Sequence, residues 1–292
     1  MRQKSLLPIL AFWVLGLVWG SNFIFMKISA AYITPMQLVF YRVLFGFIPV
    51  LIYALATRAL SVVHIKHTFH FIIMSFLASV IYYYGFAKGT ALLPSGIAGV
   101  MAGTIPIFSF ILASIFLSDE KISLSKIIGI SLGLIGIILI SKPSGSNLNG
   151  INLAGIGYII LGCFSVGASF VYAKKFIQPL QIPAAALTTY QLLGGLIILI
   201  FVTPVEGMGN IWSSTSASLG IVIGLGILGT GLAYILYYYI IEKLGAIAAS
   251  SSTYIPPIIA LAIGYIFAGE VITIVDIFAT GLIFAGVILL RR

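Results

Sequence analysis

Apolar residues fill this chain in long runs, and the charged positions collect between the runs instead of alternating with them. A helix on a water-soluble domain shows one apolar stripe at a period near 3.6 residues, and a half-buried strand alternates at a period of 2. Runs that are apolar on every side belong to helices surrounded by hydrocarbon. About 20 such residues, rising 1.5 Å each, cross a core of about 30 Å. The runs predict ten helices, at about 6–30, 35–57, 69–92, 95–117, 124–141, 152–173, 182–203, 217–241, 246–268 and 272–290. The joins are short, and most carry Pro, Gly, Ser or a charge, as at Thr34-Pro35 and Lys142-Pro143-Ser144-Gly145. Segment 143–150 is the most linker-like and divides the chain into 1–142 and 151–292. The first run follows Arg2 and Lys4, as a secretion signal would. It is longer than the apolar core of such a signal, about 7–15 residues, and is read as a span. The expected fold is an all-α integral membrane protein with ten transmembrane helices.

The stretch Pro94 to Glu120 organises the rest. Its small residues Gly96, Gly99, Ala102 and Gly103 let a neighbouring backbone approach closely. Pro106 removes a helical hydrogen bond in mid-span and favours a bend. Leu244 to Glu270 repeats the plan at an offset of 150 residues, with Ala248, Ala249, Ser252, Pro256 and a terminal Glu270. Between 84–139 and 234–289 no gap is needed, and Tyr84/Tyr234, Pro106/Pro256, Glu120/Glu270 and Gly136/Gly286 coincide. The Pro and Glu matches carry most weight because both types are scarce here. Upstream, with small slips, Phe23 matches Phe170, Lys27 matches Lys174, Tyr41 matches Tyr190 and Gly46 matches Gly195. A unit of five helices is odd, so its copy must cross the membrane upside down. Inverted repeats of this kind mark secondary transporters, with the substrate site near the midplane between the halves. Pro106 and Pro256, with Gly99 and Gly103, are then the expected hinges.

Composition agrees. The 292 residues are 61% hydrophobic and 7% charged, with a mean hydropathy of +1.21, which excludes an ordinary soluble domain. The net charge of +9 lies in the joins, where it sets orientation and does not form a nucleic-acid surface. With the N-terminus in the cytoplasm, Arg2, Lys4, Arg58, Lys66, Lys121, Lys126, Lys174, Lys175, Lys243, Arg291 and Arg292 lie inside. Only Lys88 and Lys142 fall clearly outside, and an even helix count returns the C-terminus to the cytoplasm. Cys163 stands alone, so neither a disulfide framework nor a cysteine metal cluster is expected. His64, His67 and His70 recur every third residue in a polar join, as a solvated loop or, with no carboxylate or Cys nearby, a poor metal site. No Asp or Glu lies centrally in a run, which disfavours a carboxylate proton relay and leaves a uniporter or exchanger. An intramembrane enzyme lacks its nucleophile–base or metal set, and an assembly subunit would not need the inverted repeat. The expected partners are lipid and a small-molecule substrate, with no cofactor and no nucleic acid, in a monomer or weak homodimer.

Several side chains are candidates for a binding site. Arg42 sits about seven residues into the second helix, roughly 10 Å from its end. A charge at that depth costs on the order of 2.5–3.5 kcal/mol. It either holds a substrate carboxylate or snorkels outward and pins backbone carbonyls. Trp19 and Asn22 share a face of the first helix, as cavity groups or as packing and helix–helix hydrogen bonding. Tyr82-Tyr83-Tyr84 and Tyr237-Tyr238-Tyr239 occupy corresponding helices, and three adjacent positions cannot all face one cavity. Tyr83, Tyr84 and Tyr234 are favoured, with Tyr190 and Tyr254 behind them. Ser251, in the run Ser250-Ser251-Ser252-Thr253, either satisfies carbonyls freed by the bend or meets substrate. Lys27 is an interfacial lysine or a cavity-mouth residue, Lys174 and Lys175 are orientation signals, and Glu120 and Glu270 are caps or gate groups. Gly224, Gly226, Gly229 and Gly231 make the eighth helix close-packing and flexible, with no phosphate-loop pattern.

Trp19-Gly20-Ser21-Asn22-Phe23 and Phe40-Tyr41-Arg42 resemble the opening of an EamA-type member of the drug/metabolite transporter superfamily. The run Ala87, Leu92, Ser95, Gly96, Pro106, Phe116, Leu117, Glu120 and Ser123 resembles that family's central pattern. The resemblance covers both repeats. It implies ten helices in two inverted five-helix halves and alternating access, usually export of amino acids or other small metabolites from a cell (inner) membrane. Gln191 stands where the first copy has Arg42, and Gly269-Glu270 where it has Asp119-Glu120, so a symmetrical role for Arg42 is not implied. The expected cargo is an aromatic or neutral amino acid, with purines or related metabolites second.

Overall fold

The computed structural model describes residues 6–117, 123–140, 152–244 and 252–290, and all regular structure among them is helical. Helix α1 is Leu6–Ser29 and α2 is Pro35–Ala56. Helix α3 (Val62–Leu92) is continuous through a 3-10 turn, an α-helical piece, the π-helical turn Phe76–Val80 and Ile81–Leu92. Helix α4 (Ser95–Phe116) is split into Ser95–Ala102 and Ile105–Phe116. Helices α5 (Leu124–Ile140), α6 (Leu153–Leu180) and α7 (Ala184–Val202) follow. Helix α8 joins Thr215–Leu219, the π-helical stretch Gly220–Leu232 and Ala233–Leu244. Helices α9 (Ile255–Ala268) and α10 (Ile274–Leu290) are the last among the described residues.

Seven of these, α1–α4 and α6–α8, are long and apolar enough to cross a membrane, whereas α5, α9 and α10 are apolar but shorter. The expected ninth run began at 246, and its first residues, with the linker 143–150, lie outside the described residues. Large apolar side chains point outward along the helices, among them Leu10, Trp13 and Leu17 on α1, Phe201 on α7 and Phe278 on α10. Such a surface suits hydrocarbon and would aggregate in water.

Local chemistry sets the helix ends. Thr34 and Gln37 form a reciprocal capping box at the start of α2. The Gln37 amide also donates to the carbonyls of Pro204 (2.8 Å) and Glu206 (2.6 Å), tying the α7–α8 join to the same end. Pro106 does not bend α4 from mid-helix. It occupies the first turn of Ile105–Phe116, where its missing N–H costs nothing, and the break falls just before it at Gly103 and Thr104. Pro256 sits likewise in the first turn of α9, after the 3-10 turn Ser252–Tyr254.

Packing is reciprocal. With α1 matched to α6, α2 to α7, α3 to α8, α4 to α9 and α5 to α10, the principal pairings exchange among themselves. The pairing α1·α9 corresponds to α4·α6, α1·α8 to α3·α6, and α2·α8 to α3·α7, while α5·α10, α4·α9 and α2·α7 map onto themselves. The first helix of each half therefore packs mainly in the other half. At the α3·α6 crossing a Cβ on Gly85 would stand 2.6 Å from the Tyr158 carbonyl and 2.7 Å from the Gly162 nitrogen, so only glycine fits. Gly99 of α4 likewise faces Ala260 of α9.

Candidate functional site

Eight of the helices α1–α10 given above, together with the turn before α9, enclose a central cavity of about 550 Å³. Each contributes one face. Trp19, Asn22, Phe23 and Met26 are spaced three, four and seven residues apart on α1, and Ala102, Pro106, Ser109, Phe110, Ala113 and Leu117 continue the same spacing down α4. Arg42 comes from α2, Tyr82 and Phe86 from α3, Val166, Phe170 and Lys174 from α6, Tyr234 and Tyr237 from α8. Thr253, Pro256 and Pro257 close the wall at α9, and Val287 of α10 completes it. Trp19 packs on Tyr237 at 5.8 Å between ring centroids, and Phe23 on Phe86 at the same distance.

Arg42 is the polar focus and is only 4% exposed. Its Nε donates to Thr230 Oγ1 at 3.1 Å and its Nη1 faces Met26 Sδ at 3.8 Å. The Asn22 amide, oriented so that donors meet acceptors, accepts from Arg42 Nη2 and donates to the Val18 carbonyl, both at 3.2 Å. The flat guanidinium rests on the Tyr83 ring, 4.0 Å from its centroid. All four neighbours are neutral, and no carboxylate pairs with Arg42 among the described residues. Thr230 reaches this place because it lies in the π-helical stretch of α8, where its hydroxyl donates to Leu225 O five residues back at 2.9 Å. π-helical turns recur at functional sites. Glycines at 46 and 229 leave room for Thr230 and for the Asn22 carboxamide.

The end of the bundle where α3 meets α4 is tied together by contacts between the halves. Glu270, in the α9–α10 join, accepts from Ser95 N, from Ser95 Oγ (2.7 Å) and from Gly96 N (2.8 Å), capping α4 from the other half of the chain. Gly269, with φ of +62°, turns the chain so that Glu270 can do this. Lys27 donates to the carbonyls of Leu93 (2.8 Å) and Ala91 (3.3 Å) at the end of α3. The cavity wall runs away from this end, from Met26 and Arg42 to Leu117, Lys174 and Val287.

Of the residues singled out in the sequence, Trp19, Asn22, Arg42, Tyr234, Pro106 and Pro256 line the cavity. Tyr82 faces it where Tyr83 was favoured, because Tyr83 is buried beneath Arg42. Tyr84 stands outside the wall in an edge contact with Tyr158, and Tyr190 binds Ser61 and His64 at the start of α3. Gly99 and Gly103 pack behind the wall, at the α4–α9 contact and the α4 break. Ser251, Asp119 and Glu120 lie outside the described residues, as does the side chain of Tyr254. Lys174 lines the cavity besides marking orientation. His70 meets Tyr172 OH at 2.7 Å, and no metal-sized group of His, Cys, Asp or Glu occurs among the described residues. Phe23 and Met26 were overlooked although they share the face of Trp19 and Asn22, four and seven residues on from Trp19.

Residues 6–142 and 153–292 each match the EamA-like transporter family. The chain is 28% identical to the "Uncharacterized transporter YdfC" of Bacillus subtilis, over 95% of this chain and 88% of that one. It is 27% identical to the "Uncharacterized inner membrane transporter YedA" of Escherichia coli K12, over 99% and 92%. It is 24% identical to the "Probable terminal-alkyne amino-acid exporter" of Streptantibioticus cattleyicolor, over 70% and 66%. A crystal structure of a protein 20% identical to it shares the fold, with a TM-score of 0.64, over 97% of this chain and 95% of that one.

Proposed function

The chain belongs to the EamA-like transporter family, and from that premise we propose that it is a secondary carrier of small organic metabolites, exporting or exchanging amino acids, aromatic or neutral, by alternating access. Its ten helical segments each cross the membrane, 1–142 and 151–292 being two five-helix halves of opposite orientation. The separate family match of each half and the reciprocal packing of α1–α5 with α6–α10 support that arrangement. Both termini lie in the cytoplasm of a cell (inner) membrane, as the lysine and arginine distribution favours. The Glu270 end then faces outward, its contacts between the halves serving as the closed gate, and the cavity extends toward the cytoplasm, ready to take cargo from inside.

The observation that carries this reading is the cavity between the halves, with its one buried guanidinium amid aromatic rings. A carboxylate has a fork to bind there and an apolar side chain has a wall to lie on. Resemblance to a protein named as an amino-acid exporter points the same way. Counterflow in proteoliposomes tests it. Labelled phenylalanine and leucine should accumulate against an unlabelled internal pool, and Arg42→Ala should abolish this. Accumulation no faster than in protein-free vesicles, for amino acids and all other metabolites offered, would refute a carrier.

A further inference from the structure

Arg42 holds more binding capacity than its neutral neighbours use. A guanidinium carries five N–H donors. Thr230 takes the Nε proton, Asn22 one at Nη2, and the Met26 sulfur one at Nη1, so three of five are engaged. One proton remains on each terminal nitrogen, and that pair of nitrogens is the edge that grips a carboxylate with two parallel hydrogen bonds. Tyr83 beneath the plane and Thr230 and Asn22 at the rim fix the fork before any ligand arrives, so little is lost in ordering it. A buried cation facing only neutral groups is costly, and a bound anion removes that cost.

An ammonium group meets no carboxylate on the described wall, only neutral oxygens and ring faces. The wall's charged members are Arg42 and Lys174, and its other polar groups are amide, hydroxyl and indole groups. Building on the carrier reading above, we propose that the site selects a small organic monocarboxylate, whatever its net charge, with an aromatic or branched apolar body. It is recognised by its carboxylate at Arg42 and by its apolar end against Phe23, Phe86 and Trp19. Amino acids qualify through the carboxylate alone, so the amino group is dispensable, and 2-oxo acids and arylacetates are cargo too. Neutral purines lack the group Arg42 reads.

Four compounds with one ring and different heads test this: phenylalanine, phenylpyruvate, phenylacetate and phenethylamine, each labelled, in counterflow with the full-length protein. The three carboxylates should exchange and phenethylamine should match protein-free vesicles. Arg42→Gln should lower all three carboxylate fluxes about 30-fold or more while the variant still melts cooperatively. If Arg42→Gln does not fold, Arg42→Lys, which keeps the charge and loses the fork, should show a smaller loss shared by all three. Carriage of phenethylamine, carriage of phenylalanine alone, or fluxes indifferent to both Arg42 variants would overturn the inference and leave the carrier standing. So would failure of all four while solutes of a cell extract exchange. Failure of every solute would remove the carrier reading itself.

Discussion

Arg42 and Gln191 occupy matching places in the two repeats, and their surroundings differ as their chemistry does. Arg42 binds Thr230 and lies on Tyr83, whereas the buried Gln191 donates to Tyr234 OH at 3.4 Å. The cradle of Arg42 is testable one atom at a time. Thr230→Val keeps the shape but removes the acceptor, and should cost about 1–3 kcal/mol in thermal unfolding in detergent, with Thr230→Ser close to the parent. Tyr83→Phe keeps the ring under the cation and should be nearly neutral, while Tyr83→Leu should lose about 1–2 kcal/mol in the same assay. Arg42 and Asn22 were legible in the sequence because a charge or an amide in an apolar run needs a reason, and Trp19 because it shares a helix face with Asn22. The choice within Tyr82-Tyr83-Tyr84 was not. It turns on which ring the guanidinium covers, and that is fixed by α2 crossing α3, a contact between distant segments.

At the scale of elements, the bends belong to more than the prolines that announced them. A proline is accommodated in the first turn of a helix, so α4 breaks ahead of Pro106, at Gly103 and Thr104, and α9 starts just ahead of Pro256. The π-helical turns left no trace in the composition, yet two stand at equivalent places: Phe76–Val80, shifted by 150, falls within Gly220–Leu232. The Glu270 cap was legible only as a repeated acid, since its partners Ser95 and Gly96 lie 175 and 174 residues away. Glu270→Ala should destabilise the protein by about 1–2 kcal/mol, read as a lower melting temperature, by leaving the first turn of α4 without its acceptor. Gly269→Ala should cost a similar amount, about 1–2 kcal/mol, through its left-handed backbone alone, with the carboxylate intact.

For the whole molecule, orientation is the property that gives the cavity its direction, and labelling decides it. Cys163 is the single cysteine and is buried, so a Cys163→Ala background is clean. In that background Asn210→Cys, exposed in the α7–α8 join, should react with a membrane-impermeant maleimide on intact cells. Lys66→Cys, exposed at the start of α3, should react only after lysis. The reverse pattern would place the N-terminus outside and turn the cavity around.

The exchange of first helices between halves has a price during synthesis. Gly20 of α1 packs against Ile259, which the ribosome delivers 239 residues later (259 − 20). At about 5–20 residues per second that is a wait of about 10–50 s. Throughout it the newborn leading segment must sit in lipid with its Gly16–Gly20 face uncovered, and neither half can complete its own interior alone. Expressed as two separate fragments, residues 1–142 and 151–292 should be degraded singly and rescue each other when made together in one cell.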